Sequence, residues 1–83
     1  MNIYVGNLDF KVNENDLNEI FEEYGTVESS KIITDKFSGR SKGFGFVTME
    51  NEDEAKKAIE ELNGAALKDR EMVVNEAKPK KEY

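Results

Sequence analysis

The chain has 83 residues and a formal net charge of −6, with no cysteine, no histidine and a single proline. That length supports one domain built around one small core. The missing thiols and imidazoles exclude disulfides, thiolate catalysis and the usual zinc sites, and no apolar run is long enough to span a membrane.

The chain opens almost directly into a strand over 2–7, without a signal peptide, so a cytoplasmic protein is expected. In that strand Ile3 and Val5 alternate with Tyr4, which puts an aromatic ring opposite the core-facing aliphatics. Asn13 is placed to cap a helix whose apolar residues Leu17, Ile20, Phe21 and Tyr24 follow helical spacing, and Gly25 ends it. The β-branched content of 27–34 marks a second strand, and a polar loop follows over 35–41. A third strand holds Lys42 to Met49. Asn51 and Glu54 have capping-box spacing before a second helix, where Ala55, Ala58, Ile59 and Leu62 repeat the apolar stripe. Asn63-Gly64 stops that helix. A connection over 65–71, with a short strand at Ala66-Leu67, leads to a last strand from Met72 to Glu76. The domain is expected to span 1–78, with a short charged tail over 79–83.

The third strand is the most telling segment: Lys42-Gly43-Phe44-Gly45-Phe46-Val47-Thr48-Met49. Strand alternation puts Lys42, Phe44, Phe46 and Thr48 on one face, and Gly43, Gly45, Val47 and Met49 on the other. A core-facing strand would not keep aromatics beside a lysine and glycines on the inside. The pattern fits a working surface of flat rings, for which nucleobases are the natural ligands. The run matches the nucleic-acid signature K/R-G-F/Y-G/A-F-V-x-F/Y through its first seven positions. Met49 departs from it, and by parity belongs to the core. No dinucleotide-binding or phosphate-loop glycine pattern is present.

This octamer and the hexamer Ile3-Tyr4-Val5-Gly6-Asn7-Leu8 together resemble the two ribonucleoprotein motifs of the RNA-recognition-motif (RRM) family, over almost the whole chain. The element order is βαββαβ, an α+β ferredoxin-like sandwich with a four-stranded antiparallel sheet and two helices on one face. Its other face would carry Tyr4, Phe44 and Phe46 as an open aromatic patch. The resemblance implies that Tyr4 and Phe46 each stack on a base, that Phe44 packs against a base or between sugars, and that Lys42 meets a phosphate or base edge. Arg40 and Lys36 in the loop, and Lys31 on the second strand, are candidate backbone contacts. Asn7 either hydrogen-bonds a base edge or sets the turn, and Phe37 either anchors its loop or adds a ring. At the exit of the last strand, Asn75, Glu76, Ala77 and Lys78 lie where the family reads bases. Gly43 and Gly45 are expected to let the helices approach the sheet closely. The Val-Asn-Glu-Ala run resembles single-motif glycine-rich RNA-binding proteins and their small bacterial relatives, without the glycine-rich tail.

Charge distribution tempers the acidic total. Residues 13–23 hold five acids and no base, and 50–62 hold six acids against two lysines, so the remainder carries a net +3. Local field governs docking more than the total does. The expected partner is single-stranded RNA, with single-stranded DNA as the alternative, bound by a monomer with no membrane, metal or cofactor involved. A protein-gripping variant of the fold would lack the sheet aromatics. An acylphosphatase-like enzyme would need an arginine-bearing anion loop, whereas Asn7-Leu8-Asp9-Phe10-Lys11 has none.

Overall fold

The computed structural model describes residues 1–77, which places Lys78 and the charged tail outside the described residues. The elements are β1 (Asn2–Gly6), α1 (Glu14–Glu22), β2 (Val27–Thr34), β3 (Ser41–Met49), α2 (Glu52–Leu62), β4 (Ala66–Leu67), β5 (Arg70–Glu71) and β6 (Val73–Glu76). Four of them form one antiparallel sheet in the order β2-β3-β1-β6, and β4-β5 is a separate small hairpin. The expected βαββαβ sandwich is present. The second arm of that hairpin is an addition to it, and it shortens the last strand by one residue.

Right-handed crossovers put both helices on one side of the sheet, and each turns a single apolar stripe toward it. Leu17 and Phe21 of α1, and Ala55, Ala58 and Leu62 of α2, are buried against Ile3, Val5, Val47, Met49 and Val74 of the sheet. The smallest extent of the molecule is 19 Å, the depth of one helix layer on one sheet. Among the described residues, no element covers the opposite face of the sheet.

Local hydrogen bonds explain where the helices start. At α1, Asn13 and Asp16 form a reciprocal box: the Asp16 N–H donates to Asn13 Oδ1 at 2.9 Å and the Asn13 N–H donates to Asp16 Oδ2 at 3.1 Å. At α2 only half of the expected box forms. The Glu54 N–H donates to Asn51 Oδ1 at 3.0 Å, but the Glu54 side chain lies over Gly25, where a Cβ would collide with it.

Both outer strands are capped by helix-side groups. Glu14 Oε2 accepts from the Ile32 N–H of β2 at 3.1 Å, and Asn63 Oδ1 accepts from the Val74 N–H of β6 at 3.1 Å. An unpaired strand edge is a template for sheet extension, and these bonds blunt it at two points.

The glycines of β3 act differently from expectation. Thr34 pairs with Ser41 and Ile32 with Gly45, so β3 fits three residues where β2 has one. Gly43 absorbs the excess with a left-handed φ of 86°, and its carbonyl accepts from the Leu8 N–H at 2.8 Å. A Cβ on Gly45 would strike the Lys31 carbonyl oxygen of the neighbouring strand. The atoms nearest to a Cβ at these glycines belong to the neighbouring strand backbone and the loop after β1, rather than to a helix. Gly45→Ala is therefore expected to destabilise the fold by about 1–3 kcal/mol, read as a lower urea midpoint at unchanged slope.

Candidate nucleic-acid interface

The register of the sheet assembles the open face. Lys31 pairs with Phe46, Phe46 with Tyr4, and Tyr4 with Asn75. Directly paired residues share a face, so these four side chains form one row across β2, β3, β1 and β6. Phe44 stands beside that row. Its ring centroid is 6.0 Å from Tyr4 with planes 30° apart, and 6.3 Å from Phe46 with planes at 90°. Tyr4 and Phe46 are 5.9 Å apart at 66°. The three rings form one continuous apolar surface, as the alternation of the two motifs requires.

Gly6 sets how Tyr4 lies. A Cβ on Gly6 would come within 2.8 Å of Tyr4 Cε2 and Cζ, so the ring rests across the backbone of its own strand. Only a glycine leaves that space, and the ring consequently presents its face outward.

The basic and polar candidates divide into groups. Lys42 lines a cavity of about 250 Å³ together with Tyr4, Phe44, Asn7, Phe10 and Arg70. Arg40 lies apart, against Phe10, Lys11 and Ser41. Asn75 is exposed in the central row. Glu76 pairs with Ile3 and so takes the helix-side parity, where it is exposed at the rim of the sheet. The Ala77 N–H donates to the Asn2 carbonyl at 2.8 Å, which ties the exit of β6 to the sheet.

Two residues of this surface escaped the sequence reading. Arg70, in a two-residue strand, places its guanidinium 5.9 Å from the centroid of Phe10, and both line the Lys42 cavity. Neither lies in a motif. The one available signal was an arginine directly after the polar pair Lys68-Asp69, just before the last strand.

The loop between β2 and β3 is ordered by Asp35. Its carboxylate accepts from the Phe37 N–H at 2.7 Å and the Ser38 N–H at 3.2 Å. These bonds, with Lys42 nearby, hold its pKa below the ordinary value of 3.8. Phe37 is fully exposed at the loop tip, so it presents a ring to solvent and anchors nothing within the described residues.

Among the described residues, no helix is long and apolar enough to cross a membrane, and no group of three acidic, histidine or cysteine side chains is placed to hold a metal ion.

Comparison with known proteins agrees with this geometry. The family model described as RNA recognition motif matches residues 3–73. RbpA of Synechocystis sp., provisionally named an RNA-binding protein, is 49% identical over 80 residues, covering 96% of this chain and 79% of the relative. Glycine-rich RNA-binding protein 8 of Arabidopsis thaliana is 50% identical over 74 residues, covering 89% of this chain and 44% of the relative. Among solved structures, RNA Binding Protein PG1 superposes with a TM-score of 0.93 at 50% identity, covering 99% of each chain.

Two measurements test the site. Gly6→Ala should tilt the Tyr4 ring away from the strand, seen as loss of the ring-to-residue-6 contacts by proton NMR, with the global melting midpoint little changed. For Asp35, the folded pKa is depressed, so the ordering it provides is complete above 3.8 and is lost as pH falls through the folded value. The Phe37 and Ser38 amides should therefore lose hydrogen-exchange protection in that acid window, and Asp35→Asn should remove the pH dependence.

Proposed function

This chain belongs to the RNA recognition motif family, and on that premise we propose that it binds unpaired RNA on its open sheet face, about two to four nucleotides at a time. The carrying observation is the aromatic triangle of Tyr4, Phe44 and Phe46, with centroids 5.9–6.3 Å apart. Bases in a stacked strand are about 3.4 Å apart. A strand that seats successive bases on these rings must be unstacked and extended, which a duplex does not offer. Tyr4 and Phe46 each take a base, and Phe44 packs against a base or between sugars.

Lys31 and Lys42 neutralise phosphates near the ends of this surface, while Arg40 reaches the backbone from the side of the loop. Asn75, with the backbone at Glu76 and Ala77, supplies modest base preference by hydrogen bonding. Lys78 belongs to the same exit but lies outside the described residues. Each stack contributes about 1–3 kcal/mol. With so few stacks and a net charge of −6, affinity is modest, in the micromolar range or weaker. Stacking does not discriminate sugars, so single-stranded DNA binds in vitro unless a 2′-hydroxyl contact is made. The module acts as a monomer, consistent with the caps on both sheet edges, and serves post-transcriptional regulation or RNA chaperoning. It performs no catalysis, since its family is one of binding modules.

The test is an amide-shift titration with short random single-stranded RNA, repeated on Phe44→Ala/Phe46→Ala. Shifts should fall on Tyr4, Lys31, residues 40–48 and 75–77, and the double variant should bind at least tenfold more weakly. Shifts confined to the outer faces of α1 and α2, or unimpaired binding by the variant, would sink the proposal and favour a protein partner for the rings.

A further inference from the structure

Asn7 and Arg70 lie 63 residues apart in sequence, yet each fixes the other. Asn7 follows β1 directly and has a left-handed φ of 54°, and its amide reaches the β4-β5 hairpin. Both ends of that amide are used. Nδ2 donates to the Glu71 carbonyl at 2.7 Å, and Oδ1 accepts from Arg70 Nη1 at 3.3 Å. The guanidinium also stands over the Phe10 ring at 5.9 Å. Among the described residues it has no carboxylate within ion-pairing distance, for the ion pair there joins Lys68 to Asp16 at 3.9 Å.

Among the described residues, a cation is therefore positioned at the rim of the aromatic surface with no ion-pair partner. Arg70 and Lys42 line the same cavity of about 250 Å³ beside Tyr4 and Phe44. Two like charges facing one cavity repel, and an anion seated there relieves that repulsion. Only one of the Arg70 N–H groups is spent on Asn7, which leaves the rest of its planar fork for an oxygen pair.

The geometry points to Arg70 as a phosphate-contacting residue for an RNA strand leaving the Tyr4 and Phe44 rings, with Asn7 as the residue that positions it. This rests on the RNA reading above and extends the bound path over the β4-β5 hairpin. It also gives Asn7 a role other than reading a base: its amide is already occupied by the protein.

The test measures affinity of the full chain for a short random single-stranded RNA over a potassium chloride series, by fluorescence anisotropy. Arg70→Ala should weaken binding about tenfold at low salt and lower the slope of log affinity against log salt by about 0.7. Arg70→Lys should restore most of the slope. Asn7→Gly keeps the left-handed backbone while deleting the amide. It should weaken binding, and Asn7→Gly/Arg70→Ala should bind no worse than Arg70→Ala alone. Thermal melts confirm that each variant is folded. An unchanged slope in Arg70→Ala overturns the phosphate assignment, and additive losses in the double variant overturn the positioning role of Asn7. Undiminished binding by Phe44→Ala/Phe46→Ala removes the aromatic platform and this inference with it. Weakened binding there, with an unchanged Arg70→Ala slope, removes this inference alone.

Discussion

Tyr4 and Phe46 face one another across the two central strands, and the molecule has two different surfaces because that pairing is held in register. Slipping β1 by one residue against β3 would send Tyr4 into the core and bring Ile3 and Val5 to solvent. The hydrophobic contacts of Ile3, Val5, Val47 and Val74 with the two helices make that slip costly. The same contacts that bury one face thus lock the rings onto the other. Stability and ligand presentation are not separate achievements here; a single register serves both.

The irregularities of the sheet protect this arrangement. The extra residues of β3 around Gly43 bend the strand, and the loop after β1 closes onto it through Leu8. Gly45 lets the β2 backbone pass close by, and Gly6 lets a ring lie flat. Each removes a side chain at a point where backbone or an aromatic ring needs the room. Charge is partitioned with similar economy. Half of the eighteen acids lie on α1 and α2, with the sheet between them and the rings, so repulsion of a polyanion is weaker on the ring-bearing face.

Much of this was legible in the chain. The parity of Phe44 and Phe46, the apolar stripes of both helices and the capping residues Asn13 and Asn51 are short-range patterns, and local geometry follows from them. Other features depend on contacts between distant segments and carry no local signature. Nothing near Gly45 announces that its neighbour is the Lys31 carbonyl. Nothing near Glu54 announces that its side chain will cover Gly25 and abandon half of a capping box. Arg70 and Asn7 are each unremarkable in their own neighbourhoods, and only the closed fold puts them together. The motif residues were readable because a motif is local; their supports were not, because a support is tertiary.

The strand order has a consequence for the chain as it is made. β1 emerges first, but it lies between β3 and β6, so one of its edges stays unpaired until the last described strand arrives. The row that begins at Lys31 is completed only by Asn75. A growing chain that has reached α2 can bury much of its core while β1 still offers an open hydrogen-bonding edge. Such long-range closure slows folding relative to a helical bundle of equal size. The proposed ligand surface is therefore complete only once β6 is in place, and a truncation before β6 would remove Asn75 from its row and leave the edge of β1 unprotected.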